Sequence, residues 1–70
     1  MKIKKQDTQR GFQRLDFKDK YDNDCSIQES SNIESSLWIG TNENRMIIDR
    51  EDCLTIALYL IDFYKNGKLY

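Results

Sequence analysis

The sequence predicts an α+β fold: a small antiparallel sheet of three or four strands with one long C-terminal helix packed on it. Three observations predict this fold. Short segments alternate apolar and polar residues, which is typical of half-buried strands. Clusters of Asn and Asp separate these segments as tight turns. Finally, ten of the twelve residues from Cys53 to Tyr64 are apolar or aromatic, between residues that suit the two ends of a helix.

The 70 residues are enough for one small domain. Residues 1–10 are polar and lack periodicity, so we expect a flexible basic N-terminal arm, with late pairing as an edge strand as the alternative. Residues 11–70 then form a single α+β domain. The strands and turns are predicted in this order: a strand at 11–20, a turn at 21–24, a strand at 25–29, a polar loop at 30–36, a strand at 37–40, a turn at 41–44, and a strand or helix approach at 45–48.

The helix is predicted from Arg50 to Lys65. Asp49 is a suitable N-cap, because its carboxylate can accept backbone N–H bonds of the first turn. Glu51 and Asp52 place negative charge where the helix dipole favours it. At the other end, Gly67 suits the left-handed C-terminal cap.

Apolar residues cover more than half of the circumference of this helix, which is wider than the stripe of a helix lying on one sheet. One arc, expected to pack on the sheet, comprises Cys53, Leu54, Ala57, Leu58, Ile61 and Tyr64. The other arc comprises Ile56, Leu60 and Phe63 and has no evident cover in the chain. We therefore expect a homo-oligomer, most simply a two-fold dimer, with Ile56, Leu60 and Phe63 at its interface. The alternative is that the strands wrap far enough to cover both arcs.

The two cysteines and the absence of histidine limit the chemistry. Zinc is disfavoured because there is neither a C-x-x-C motif nor a histidine ligand. Reduced thiols at Cys25 and Cys53 are favoured over a bridge between them, although the sequence leaves both open. Nucleophilic catalysis lacks its usual base, so the sequence predicts a non-catalytic protein without cofactor or metal.

Charge is unevenly distributed within a net charge of −1. Residues 1–14 sum to +4 and residues 15–36 to −4. The acidic segment 16–34 is either a solvated hairpin or a phosphate-mimicking surface for a basic groove on a partner. Because it lies next to the basic arm, direct nucleic-acid binding is disfavoured. No apolar run is long enough for a membrane span and no signal peptide is evident, so we expect a cytoplasmic protein with no membrane partner.

One cluster could bind a small ligand. Trp38, Asn42, Asn44 and Arg45 would supply an aromatic face, amides and a guanidinium group, which together suit a nucleotide. The alternative is that Trp38 belongs to the core and that the Asn residues belong to an ordinary turn.

The order of several short motifs resembles a family of short phage-encoded proteins. The resemblance runs from Arg10 to about Leu69 and rests on Arg10-Gly11-Phe12, Phe17, Asp19, Tyr21, Cys25-Ser26-Ile27-Gln28, Ser30-Ser31, Trp38-Ile39-Gly40, Arg45-Met46 and Arg50-Glu51. It implies a phage accessory protein in the host bacterial cytoplasm, where such proteins often inhibit host defence. The chain departs from the family at Asp22, where a turn glycine is usual. It also has only Thr41–Asn44 where longer members carry an insert, so any function of that insert is absent or reduced.

Three functions are consistent with these features. The first is inhibition of a host defence protein by direct binding, as in an anti-CRISPR. The second is an oligomeric sponge that sequesters a nucleotide immune signal. The third is a structural or regulatory component of the phage.

Overall fold

The protein is an open five-stranded antiparallel sheet followed by one helix. The computed structural model describes residues 1–31, 33 and 35–70. Its elements are β1 (Lys4–Asp7), β2 (Gln13–Lys18), β3 (Asp24–Glu29), β4 (Ser36–Gly40), β5 (Arg45–Asp49) and α1 (Arg50–Asn66). The strands lie in the sheet in chain order, β1 to β5, and every neighbouring pair is antiparallel. The predicted α+β class is confirmed, with one strand more than expected.

The additional strand lies in the segment predicted to be a flexible arm. Lys4–Asp7 pairs with β2 as an edge strand, with Lys4 opposite Asp16 and Asp7 opposite Gln13. The connection to β2 is tight, because Thr8 and Phe12 bond to each other through Thr8 N to Phe12 O at 2.7 Å and Phe12 N to Thr8 Oγ1 at 3.1 Å. The structure thus favours the alternative for this segment, pairing at the sheet edge.

Asp19 organises the hairpin between β2 and β3. Its carboxylate accepts hydrogen bonds from the backbone N–H groups of Tyr21 and Asn23, each at 2.9 Å, and from Asn23 Nδ2 at 3.0 Å. Asp22 takes the left-handed conformation, with φ 67°. Asp tolerates this conformation and glycine adopts it freely, so the turn forms with Asp22 at this position.

The register divides the sheet into an apolar face and a polar face, because successive strand residues point to opposite sides. The apolar face is formed by Leu15, Phe17, Cys25, Ile27, Leu37, Ile39, Met46 and Ile48. Of the described apolar residues only Ile48 is buried, at 8% exposure. The apolar face is therefore only partly covered within one chain.

The helix begins at the predicted Arg50 and ends at Asn66, one residue beyond the predicted Lys65, and one cap differs in chemistry. Gly67 has φ 71° and its N–H donates to Phe63 O at 2.8 Å, which is the expected left-handed cap. Asp49 stands at the N-cap position, yet no described N–H of the first turn donates to its carboxylate. Instead Asp49 Oδ1 accepts a bond from Ser36 Oγ at 3.2 Å, which ties the start of the helix to β4.

The helix meets the sheet mainly at β5. Its only half-buried residues are Cys53 and Ala57, and none of its residues is buried. Cys53 and Leu37 of the apolar face line the same cavity of about 370 Å³, so the helix begins on the apolar side of the sheet. The structure differs from expectation in the rest of the sheet-facing arc, because Leu54, Leu58, Ile61 and Tyr64 are all exposed. Local periodicity identified this arc correctly as apolar but does not determine how far a helix leans over its sheet.

Within the described residues, no helix is both long enough and apolar enough to cross a membrane. Asn32 and Glu34, which the sequence places in the polar loop and Glu34 also in the acidic segment, lie outside the described residues.

Candidate functional site

The polar face of the sheet carries the candidate site. Its central row runs across all five strands, because Gln6 pairs with Arg14, Arg14 with Gln28, Gln28 with Trp38 and Trp38 with Ile47. A neighbouring row follows Lys4, Asp16, Ser26, Gly40 and Arg45. Long polar side chains from four strands therefore share one surface.

The turn at Thr41–Asn44 sets the position of Arg45. Thr41 N donates to Asn44 O at 3.0 Å, and Asn44 N donates to Thr41 Oγ1 at 3.1 Å. Gly40 makes this close return of the chain feasible, since it has φ 141° and a Cβ there would clash with the carbonyl oxygen of Asn44. Arg45 then donates from Nε to Thr41 O at 3.3 Å and from Nη2 to Asn42 Oδ1 at 3.2 Å.

The guanidinium group of Arg45 lies over the ring of Trp38, with Cζ at 5.1 Å from the ring centroid. This is a cation–π arrangement, which holds the guanidinium in place without neutralising it. Trp38 is half-buried, and its Nε1 is buried without a hydrogen-bond partner among the described residues. Trp38 thus serves as the platform beneath Arg45.

Of the four residues predicted to bind a ligand, Trp38, Asn42 and Arg45 come together. Asn44 does not join them through any described side-chain contact, and its described bonds are the backbone bonds that close the turn. That these residues bind a ligand stays a prediction. The arrangement is nevertheless chemically specific, because Asn42 and Trp38 both orient a single cation.

Arg14 is a second arginine of the site that the sequence reasoning did not identify. Its Nη2 donates to Gln6 Oε1 at 2.6 Å, and its Nε lies 3.1 Å from Asp16 Oδ1. The available signal was the alternation of β2, which places Arg14 on the side opposite Leu15 and Phe17. Its proximity to the turn residues depends on the register between strands, which no local pattern specifies.

A cavity of about 660 Å³ lies on this face. Its lining includes Arg14, Asp16, Ser26, Gln28, Asn42 and Arg45. A smaller cavity of about 310 Å³ adjoins it, because Arg14, Gln28 and Arg45 line both cavities. Arg10 also lines the smaller cavity. The larger volume is within the usual range for small-molecule sites, about 300–1,000 Å³.

Charge on this surface is partly neutralised. Lys18 Nζ lies 2.8 Å from Asp24 Oδ1, and this hydrogen bond, with the attraction of Asp22 and Asp24, raises the pKa of Lys18 above its ordinary value. Asp16 similarly accompanies Arg14. Arg45 has no carboxylate within ion-pair distance among residues 1–31, 33 and 35–70. Arg45 therefore has no described carboxylate that competes with an anionic ligand, and the same holds for Lys2, which also lines the cavity.

The acidic segment is largely engaged within its own hairpin. Asp16 and Asp24 each accompany a cation, and Asp19 accepts the bonds of the turn. Glu29 Oε1 accepts a bond from Gln13 N at 2.6 Å. Of the described acids in this segment, Asp22 has the least engaged carboxylate. Several of these carboxylates are nevertheless exposed, Asp24 at 83%, so a binding role for this segment stays a prediction.

The helix presents a second candidate surface. Ile56, Leu60 and Phe63, the predicted oligomer interface, are 40%, 62% and 54% exposed. The described apolar residues around the same helix are also exposed, Leu54 at 67% among them. The apolar surface is thus wider than the predicted arc.

The described thiols and carboxylates form neither a disulfide nor a metal-binding group. Cys25 and Cys53 are free, and each Sγ lies near a backbone carbonyl oxygen, that of Asn23 at 3.6 Å and that of Asp49 at 3.5 Å. No group of three or more Cys, Asp or Glu residues there is placed to hold a metal ion.

Searches of protein-family models, of curated proteins and of solved structures each found no match to this chain.

Proposed function

We propose that this chain is a non-catalytic binding protein that acts as a homo-oligomer, most simply a two-fold dimer. The observation that carries this proposal is the accessible surface of one chain, 6380 Å². A compact monomer of 8.4 kDa would expose only roughly 4,600 Å². The excess is about 1,800 Å², and obligate homodimers bury roughly half of 2,000–5,000 Å² on each subunit. A second copy of the chain would therefore bury an area of the same size as this excess.

The composition of the exposed surface supports the same occupant. Large apolar residues are exposed along the whole helix, and the apolar face of the sheet is only half covered. A contiguous apolar surface of this extent on a soluble chain usually marks an interface. Two helices and two apolar faces can cover one another across a two-fold axis, because such an interface uses the same patch on both subunits.

Light scattering coupled to size exclusion tests the dimer directly. The expected mass is twice 8.4 kDa. Leu60→Asp is expected to lower the measured mass towards that of a single chain, because the substitution would bury a charge at the interface. Thr55→Asp is the matched control, since Thr55 lies on the polar side of the same helix and the substitution also adds one carboxylate. A monomeric wild-type chain at micromolar concentration would contradict the proposal.

In biological terms, we propose a phage accessory protein that antagonises a bacterial defence system in the host cytoplasm by binding a host protein, as an anti-CRISPR does. The resemblance to short phage-encoded proteins supports this reading, as does an exposed surface better suited to binding than to catalysis. Co-purification from host lysate, with mass spectrometry of proteins and small molecules, tests it. One host protein enriched in near-stoichiometric amount is the expected result. Enrichment of none above a bead control would contradict it.

A specific observation favours a second form of the same antagonism, sequestration of a nucleotide immune signal. Arg45, held over Trp38 and beside Asn42, lines a cavity of suitable volume together with Arg14. In the co-purification, a bound nucleotide without a host protein would favour this form. The third alternative, a structural or regulatory phage component, predicts virion genes rather than early accessory genes beside the coding sequence.

A further inference from the structure

We propose that the polar-face cavity binds a phosphate-bearing small molecule, with the guanidinium groups of Arg14 and Arg45 as its two anion-binding groups. This inference deepens the sequestration form of the proposed function and rests on it. It extends the predicted cluster, which lay around one turn, to residues on β2 and β3. It also changes the role of Trp38 from a stacking surface for the ligand to a support for Arg45.

The two arginines are held in place on one side and have donors left over on the other. A guanidinium group has five N–H donors in a fixed fork. Among the described residues, Arg14 donates from Nη2 to Gln6, while its Nε lies 3.1 Å from Asp16 Oδ1 without making a hydrogen bond. The described contacts of Arg45 use Nε towards Thr41 and Nη2 towards Asn42. Each group therefore keeps N–H donors for a ligand, and planar paired donors match phosphate oxygens well.

Both arginines face the same space. They line the cavity of about 660 Å³ together, and they also line the adjoining cavity of about 310 Å³. Gln28 lies directly opposite Arg14 in the register and lines both cavities as well. A phosphate placed between the two cavities would therefore meet Arg14, Arg45 and the amide of Gln28.

The charge of the wall selects an anion. The larger cavity is lined by the cations Lys2, Arg14, Lys18 and Arg45 and by the carboxylates Asp16 and Asp24. Asp16 pairs with Arg14, and Asp24 pairs with Lys18. The wall keeps a positive balance, and the amides of Gln28 and Asn42 offer both donors and acceptors to the uncharged part of a ligand.

The occupant is thus of nucleotide class rather than a bare anion. A lone phosphate would fill only a small part of about 660 Å³. The lining also includes Met1, whose apolar side chain suits a ring or sugar better than a second phosphate. Small-molecule sites commonly combine such apolar lining with a few polar groups.

The test uses the full chain with four probes: inorganic pyrophosphate, AMP, ADP and uncharged adenosine. Trp38 is the only tryptophan of the chain, so its fluorescence reports displacement of the Arg45 guanidinium, and calorimetry gives the affinity. We expect ADP and AMP to bind more tightly than adenosine. Arg14→Gln and Arg45→Gln should each weaken ADP binding by at least about tenfold, since a hydrogen bond to a charged group contributes roughly 1.5–3 kcal/mol.

Arg50→Gln is the matched control, because it removes the same charge from an exposed arginine that lines the cavity on the other side of the sheet. It should leave ADP affinity unchanged. Arg45→Lys keeps the charge but not the planar fork, so it should weaken ADP binding as well, and circular dichroism of each variant verifies folding.

Three results would overturn the site. The first is that none of the charged probes saturates the protein at about 1 mM, which is already a weak limit for a specific site. The second is that all arginine variants bind ADP with equal affinity. The third is that adenosine binds as tightly as ADP. None of these results would alter the mass measured by light scattering or the capture of a host protein. The failure of this site is therefore distinguishable from the failure of the dimer or of host-protein binding.

Discussion

Gly40 is the residue on which the geometry of the site depends most directly. It ends β4 with φ 141°, and a Cβ at this position would clash with the carbonyl oxygen of Asn44. The turn that follows holds the guanidinium group of Arg45 through the Thr41 carbonyl oxygen and the Asn42 side chain. Any shift of the turn away from Gly40 would therefore move Arg45 off the ring of Trp38.

We predict that Gly40→Ala lowers the free energy of unfolding by about 2–3 kcal/mol, because it adds steric overlap to an unfavourable backbone conformation. Gly11→Ala is the matched control. Gly11 also has a positive φ, 83°, but nothing lies within 4 Å of its added Cβ, so the expected loss is about 1 kcal/mol. Urea unfolding followed by Trp38 fluorescence measures both. Equal losses in the two variants would show that the close approach at Gly40 carries no cost.

At the scale of elements, the hairpin between β2 and β3 depends on one carboxylate. Hydrogen bonds from the side chain and backbone of Asn23, and from the backbone of Tyr21, lower the pKa of Asp19 below its ordinary 3.8. A carboxylate with a lowered pKa in the folded state stabilises folding above its unfolded-state pKa. That contribution is lost as pH falls through the folded-state value.

We therefore predict that Asp19→Ala destabilises the hairpin at neutral pH and that its difference from wild type shrinks as pH falls below 3.8. Unfolding measured across this range, with carboxyl-carbon NMR of Asp19, gives both quantities. Asp62→Ala removes one exposed carboxylate from the helix instead and serves as control. A difference for Asp19→Ala that is independent of pH would mean that the turn uses this side chain only for its shape.

The sequence alone predicts the elements that have local signals, but not those that depend on pairing between strands. Strands β3 and β4 and the helix were predicted because their signals are local: alternation, turn residues, an N-cap position and Gly67. Strand β1 has no such signal, since Lys4–Asp7 is polar on both sides and is ordered by pairing with β2. Arg14 was missed for a related reason, because its neighbours Gln6 and Gln28 are set by register and not by spacing along one segment.

At the scale of the whole molecule, the sequence could not predict how much of the helix surface is exposed. The helical wheel assigned one arc to the sheet and one to a second copy. In the structure the described apolar residues of both arcs are exposed beyond the half-buried Cys53 and Ala57. How far a helix packs on a sheet depends on the angle at which the chain leaves its last strand. Here Asp49 bonds to Ser36 and the helix keeps to β5.

The whole molecule should consequently owe much of its stability to association, since one chain has a single buried apolar residue among those described, Ile48. For a dimer that unfolds to separate chains, mass action makes the thermal midpoint rise with protein concentration. A tenfold increase in concentration corresponds to a free-energy change of about 1.4 kcal/mol. Dividing this by the unfolding entropy of two 70-residue chains predicts that the thermal midpoint rises by about 5 °C. Calorimetry or circular dichroism over roughly 1–100 µM measures it. Leu60→Asp should lower the midpoint across this range, whereas Thr55→Asp should retain the wild-type curve. A midpoint that does not change with concentration, together with the mass of one chain, would show that a single copy is stable with its apolar helix in water, and the excess surface would then require a different partner.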